Sequence, residues 1–266
     1  MGVERRSSHI LAAFFATLIA GVLAWMCLLL ALWRVPVSIL AKPEQIPEVA
    51  LTVYSIGLYL WLMILVGLFW RRVAKRPWAE LGIRPSGRQL LRGVILGSGG
   101  LAVVMGLETA LGWARFSPPA QWPLSVILLS LGAALAFALS EEILFRGFFL
   151  RTLTRDHPPR RAILLSALLY ASLHFLRTNL AWSDLLLFAM LFGAGIVLAS
   201  AALQTGSLWL SIGIHASWIA FFSMSQQLGL WQWFETGLPL SGGTTIGLFA
   251  IPLFIPMTYL VRRPHA

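Results

Sequence analysis

The sequence predicts an all-α protein, a polytopic bundle of about eight transmembrane helices in one domain, residues 1–266. Three observations carry this. The chain is 58% hydrophobic and only 11% charged, against about 45–50% and 25% for a soluble domain. Its apolar residues gather into long runs. Its basic residues gather between alternate runs.

A span needs roughly 20 apolar residues. The runs at 10–33, 49–70, 91–111, 124–150, 161–176, 184–204, 207–224 and 244–261 qualify, the fifth and seventh being short. The first follows Arg5 and Arg6 like a secretion signal, but it exceeds the roughly 7–15 apolar residues of a signal core and no small-residue cleavage site follows it. It reads as a retained span. Eight spans alternate the flanking segments between two sides. One side holds Arg5, Arg6, Arg71, Arg72, Lys75, Arg76, Arg84, Arg88, Arg92, Arg151, Arg155, Arg160, Arg161, Arg262 and Arg263. The other holds Arg34, Lys42, Arg115 and Arg177. This asymmetry places both termini in the cytoplasm of a multi-pass cell-membrane protein. It also accounts for the net charge of +10 without a nucleic-acid partner; the partner implied is the lipid bilayer. Trp33, Trp70, Trp113, Trp122 and Trp182 near span ends read as an interfacial belt, with Trp78 in the basic connection near the headgroups. Cys27 reads as a small packed hydrophobe, and Ser98 among Gly97, Gly99 and Gly100 as a site of close helix packing.

Ionisable residues inside spans cost about 2.5–3.5 kcal/mol each at mid-bilayer, so those present need a reason. Span four carries Glu141, Glu142 and Arg146, span five His174, and span seven His215. Glu142 and Arg146 are i,i+4 and can pair on one face. Glu141 points about 100° away and remains available. Ser166, Tyr170 and His174 form one polar edge of span five; Ser211 and His215 repeat the spacing on span seven. A glutamate and two histidines on separate spans fit a hydrolase, or a proton or cation path in a transporter, and the residues alone leave both open. Zinc held by Glu141, His174 and His215 is a third reading, but no HExxH or similar local ligand spacing is present.

From Ser140 to about Phe222 the chain resembles the CPBP family, the CAAX prenyl-protease and bacteriocin-processing (Abi or Rce1-like) glutamic intramembrane proteases. Glu141-Glu142-x-x-x-Arg146 resembles its first motif, Tyr170 and His174 its second, and His215 the histidine of its third. The third motif's asparagine position holds Ile219, and the single asparagine, Asn179, lies elsewhere. The resemblance implies a metal-independent, cofactor-free endopeptidase. Glu141 would be the base that activates water, His174 would help bind the water, and His215 would stabilise the oxyanion. Glu142 and Arg146 would hold the site's shape. Tyr170, Trp218 and Ser211 are supporting candidates, the last two as donors in place of the missing asparagine. The implied substrate is a membrane peptide or protein: a prenylated C-terminus, a bacteriocin leader or a C-terminal sorting segment. A family member without activity, serving as a transporter or scaffold, is the alternative.

The charge asymmetry makes a direct prediction. Reporter fusions after Glu80, Pro118, Asp156 and Glu235 should read cytoplasmic, outside, cytoplasmic and outside; a reversal at any of the first three would break the eight-span topology.

Overall fold

A computed structural model describes residues 7–32, 34, 48–174, 182–234 and 246–260. Arg5, Arg6, Lys42, Arg177, Arg262 and Arg263 of the charge pattern, with Trp33, Asn179 and the side chain of Trp182, lie outside the described residues. Contacts gather the chain into two compact units, Met1–Trp78 and Ala79–Ala266.

The first unit holds α1 (Ser7–Leu32) and α2 (Glu48–Leu68). The helices pack antiparallel through a reciprocal exchange. A Cβ on Gly21 would fall 2.2 Å from the Trp61 indole, and one on Gly57 would fall 2.3 Å from the Trp25 indole. Each glycine leaves the notch that the opposite tryptophan fills, which lets the backbones approach closely. The Trp25 indole N–H then donates to the Tyr54 carbonyl at 3.2 Å. Cys27, expected to be packed, is exposed. A π-helical turn, Phe69–Val73, ends α2. Here the belt expectation needs correction for Trp70. Its side chain is buried, and its N–H donates to the Pro77 carbonyl at 2.9 Å, pinning the turn rather than facing headgroups. Trp78 and Trp122 are exposed, as interfacial residues would be.

The second unit begins with α3 (Gly87–Ala110), capped where Ser86 accepts from the Gln89 amide. Strand β1 (Ala114–Phe116) follows, then α4 (Leu124–Glu142). The chain continues without a break as a π-helix, Ile143–Leu150, and a last turn, α5 (Arg151–Leu153). Next come α6 (Pro159–His174), α7 (Trp182–Thr205) and α8 (Trp209–Leu228). Gly229, with φ of 61°, adopts the left-handed cap that ends α8. Strand β2 (Trp231–Trp233) pairs antiparallel with β1, matching Ala114 to Trp233 and Phe116 to Trp231. Helix α9 (Ile246–Leu260) closes the described chain, with Pro252 and Pro256 inside it.

The long helices coincide with the apolar runs read from the sequence. By length and composition, Ser8–Leu32, Gly87–Ala110, Leu124–Leu153 and Asp184–Thr205 are each able to cross a membrane. Leu91, Ile95 and Val103 on α3, and Leu124, Leu128 and Leu129 on α4, are exposed. Contiguous apolar surface of this kind suits lipid rather than water. Inside the unit, Val104, Val197, Leu198, Leu210, Ile214 and Phe254 form a core shared by α3, α7, α8 and α9.

Helix α3 meets α8 most closely, and the reason is in the sequence. A Cβ on Gly93 would lie 2.3 Å from the Leu210 carbonyl oxygen, and one on Gly213 would lie 2.3 Å from that of Leu90. The two backbones touch with no side chain between them, the small-residue packing of membrane helices. Adding a methyl group there should cost about 1–3 kcal/mol as overpacking. Gly213→Ala should therefore lower the thermal midpoint in detergent, whereas Gly99→Ala, where nothing lies within 4 Å of the new Cβ, should not.

Candidate active site

Three helices bring the sequence-predicted residues together: α4 with its π extension, α6 and α8. The deepest element is a charge. Glu142 and Arg146 are 0% and 1% exposed, and Arg146 Nη1 donates to Glu142 Oε1 at 3.0 Å. Such a pair recovers its desolvation cost only so far as its remaining bonds are made; Glu142 Oε2 and Arg146 Nε are buried with no hydrogen-bond partner among the described residues. Arg146 Nη2 reaches the Gly195 carbonyl of α7 at 3.5 Å. The guanidinium carbon lies 4.5 Å from the centre of the Tyr170 ring and 5.7 Å from that of Phe145, a cation on aromatic faces. The pairing expected from i,i+4 spacing is present, and it has a further member. His215 Nδ1 lies 3.0 Å from the same Glu142 Oε1. A carboxylate can only accept, so the hydrogen on Nδ1 belongs to this bond, and His215 presents Nε2 to the other side.

On that other side is Glu141. Its Oε2 lies 3.7 Å from His215 Nε2, and its Oε1 lies 3.7 Å from His174 Nε2. These separations are longer than direct hydrogen bonds, and Oε2 is buried with no hydrogen-bond partner among the described residues. His174 is turned the right way by its own helix: Nδ1 donates to the Tyr170 carbonyl at 2.8 Å, one turn back. The Tyr170 hydroxyl in turn lies 3.4 Å from His215 Nε2. Ser166, third on the same edge of α6, donates to the Phe145 carbonyl at 3.2 Å and so fastens α6 to the π segment.

Glu141, Tyr170, His174 and His215 line a cavity of about 800 Å³, whose remaining wall is mostly apolar and includes Phe137, Met190, Ile219 and Phe254. A volume of this order suits a sizeable ligand or a short peptide segment. The supporting candidates divide. Ser211 is fully buried and its hydroxyl donates to the Leu208 carbonyl at 2.9 Å. The Trp218 ring lines the cavity, but its N–H donates across to the Gly97 carbonyl of α3 at 3.3 Å. Both hydroxyl and indole are engaged with backbone rather than turned toward Glu141. Ile219 faces the cavity one turn after His215. Among the described residues, no group of three His, Cys, Asp or Glu side chains is arranged to hold a metal ion.

Sequence reasoning passed over two buried acids, Glu108 and Asp184. Glu108, near the end of α3, is 0% exposed and accepts from the Trp233 indole N–H at 3.1 Å. A carboxylate within the apolar run 91–111 was the available signal. Its partner lies 125 residues away, on strand β2 of the two-stranded sheet.

Residues 122–221 match the family model described as "Type II CAAX prenyl endopeptidase Rce1-like". The matched segment contains Glu141, Glu142, Arg146, Tyr170, His174, Ser211, His215, Trp218 and Ile219, and it bears out the resemblance drawn from the motifs. No curated protein and no solved structure matches the chain. With its apolar helices, the family match points to a multi-pass membrane protein.

The geometry separates the two neighbouring glutamates by experiment. Glu142→Ala leaves Arg146 buried without its carboxylate, a loss of about 3–5 kcal/mol. Its thermal midpoint in detergent should fall well below that of Glu141→Ala, which removes no direct hydrogen bond.

Proposed function

We propose that this chain is an intramembrane endopeptidase that hydrolyses a peptide bond of a membrane-associated substrate with water activated by Glu141. One observation carries the reading: a cavity-lining carboxylate stands between two histidine nitrogens, each 3.7 Å away, contributed by three different helices. A separation too long for a direct bond and short enough for one bridging molecule suits a water held by all three groups.

The reaction then runs as follows. Glu141 takes a proton from water as the oxygen attacks the peptide carbonyl, while His174 Nε2 keeps the water oriented. His215 in its doubly protonated form donates Nδ1–H to Glu142 and Nε2–H to the carbonyl oxygen as negative charge develops there. Glu141 returns its proton to the leaving nitrogen as the C–N bond breaks. The apolar wall excludes bulk water, which strengthens each of these interactions. No serine or cysteine nucleophile is required.

The family match supports a peptide substrate presented within the bilayer, with a prenylated C-terminus as the first class to test. The positions of the apolar runs and the basic residues support eight crossings with both termini in the cytoplasm.

Glu141→Gln keeps size and hydrogen bonding but cannot accept the proton. It should abolish cleavage of an S-farnesyl CAAX peptide in proteoliposomes while inserting and melting like the wild type. Dialysis against a chelator should leave the wild-type rate unchanged. Cleavage by Glu141→Gln at the wild-type rate would remove the proposed base; activity lost on chelation and restored by zinc would replace the mechanism with a metal-dependent one.

A further inference from the structure

The oxyanion formed in such a reaction is normally held by a pair of donors, and in this cavity His215 Nε2 supplies one. Around that nitrogen the wall offers Trp218, Ile219 and Tyr170. Ile219 has nothing to donate. The Trp218 N–H is committed to Gly97, and Ser211, one turn before His215, is committed to Leu208. Tyr170 carries an O–H that is already 3.4 Å from His215 Nε2.

We propose that Tyr170 is the second oxyanion donor of this enzyme, a catalytic residue acting directly on the carbonyl oxygen of the substrate. The inference rests on the protease reading above. Its strength is the way the ring is held. The side chain is 4% exposed. Arg146 sits on one face at 4.5 Å, and Phe145 meets the ring at 5.0 Å with an interplanar angle of 89°. The His174 ring lies 4.4 Å away, and the backbone carbonyl of Tyr170 fixes that histidine. These contacts fix the ring and with it the position of the hydroxyl oxygen. The hydroxyl oxygen lies 3.4 Å from His215 Nε2, and both side chains line the cavity. A carbonyl oxygen that takes the hydrogen of Nε2 would sit beside the same O–H, within reach of its hydrogen. The Tyr170 hydroxyl and the His215 imidazole, from α6 and α8, thus stand side by side in the cavity wall, where both can serve one carbonyl oxygen.

Tyr170→Phe isolates this role, because it keeps the ring, its cation contact and the carbonyl that orients His174. The full-length wild type, Tyr170→Phe, Tyr170→Phe/Ile219→Asn and Glu141→Gln are compared in proteoliposomes, with an S-farnesyl CAAX peptide and a panel of unmodified apolar peptides. Loss of one oxyanion donor lowers kcat by about 100–1000-fold. That fall is expected for Tyr170→Phe, with KM changed by less than about twofold and the thermal midpoint unchanged. The added Asn at position 219, on the same face as His215 and lining the cavity, should restore part of the rate. Tyr170→Phe turning over at the wild-type kcat would overturn the proposal while Glu141→Gln stays inactive and the protease reading stands. A fall in kcat that tracks a fall in thermal midpoint, with no recovery from Ile219→Asn, would overturn it in favour of a packing role. No cleavage by the wild type, or equal cleavage by Glu141→Gln, would overturn the protease reading and Tyr170's role with it.

Discussion

One carboxylate oxygen organises the second unit. Glu142 Oε1 accepts from Arg146 and from His215, both at 3.0 Å. Arg146 extends that junction to α7 through Gly195 and to α6 through the face of Tyr170. Four helices are therefore fastened to a single buried negative charge. Hydrocarbon offers such a charge no alternative partner, so the arrangement is held by the cost of leaving any member unpaired rather than by the strength of each bond. The orientation of both histidines follows. His215 is locked by its Nδ1, and His174 by a carbonyl on the residue whose ring the arginine holds.

The neighbouring glutamates show how one helical step separates the protein interior from the cavity. Glu142 faces the protein interior and Glu141 faces the cavity, about 100° apart on an ordinary helix. Immediately afterwards the helix widens to π geometry from Ile143 to Leu150, and every residue from Leu144 to Leu150 is buried. π turns recur at functional sites because they re-aim side chains that an α-helix would present elsewhere. Here the wide turn packs Phe145, Arg146, Phe148 and Phe149 inward together. Across the cavity, glycine contacts draw α8 against α3.

The helices were legible because each is an apolar run, and their ends moved by only a few residues: 91–111 became Gly87–Ala110, and 207–224 became Trp209–Leu228. The Glu142–Arg146 pair was legible because both members sit on one helix. The bond from His215 to Glu142 spans 73 residues, and no periodicity encodes which helix lies beside which. The same limit applies to hydrogen-bond commitments. Trp218 and Ser211 looked like available donors because the carbonyls that engage them are invisible until the backbone is placed. Trp70 looked like a belt residue for the same reason; its partner, the Pro77 carbonyl, exists only once the π turn has formed. Glu108 was readable as a buried charge and was passed over because it sits near the end of an apolar run, where a carboxylate draws little notice.

The short sheet has a bearing on how the molecule is made. Strand β1 leaves the ribosome before α4, and β2 only after α8, so the register of Ala114 with Trp233 brackets the helices that carry Glu141, His174 and His215. Until Trp233 has been synthesised, Glu108 lacks the indole that caps it, and the loop that the strands close has no second end. The clasp is accordingly a late event in biogenesis, coming after insertion of every helix it encircles. A chain truncated before β2 would contain each of these side chains and still lack the strand pairing that ties the segment after α3 to the segment after α8.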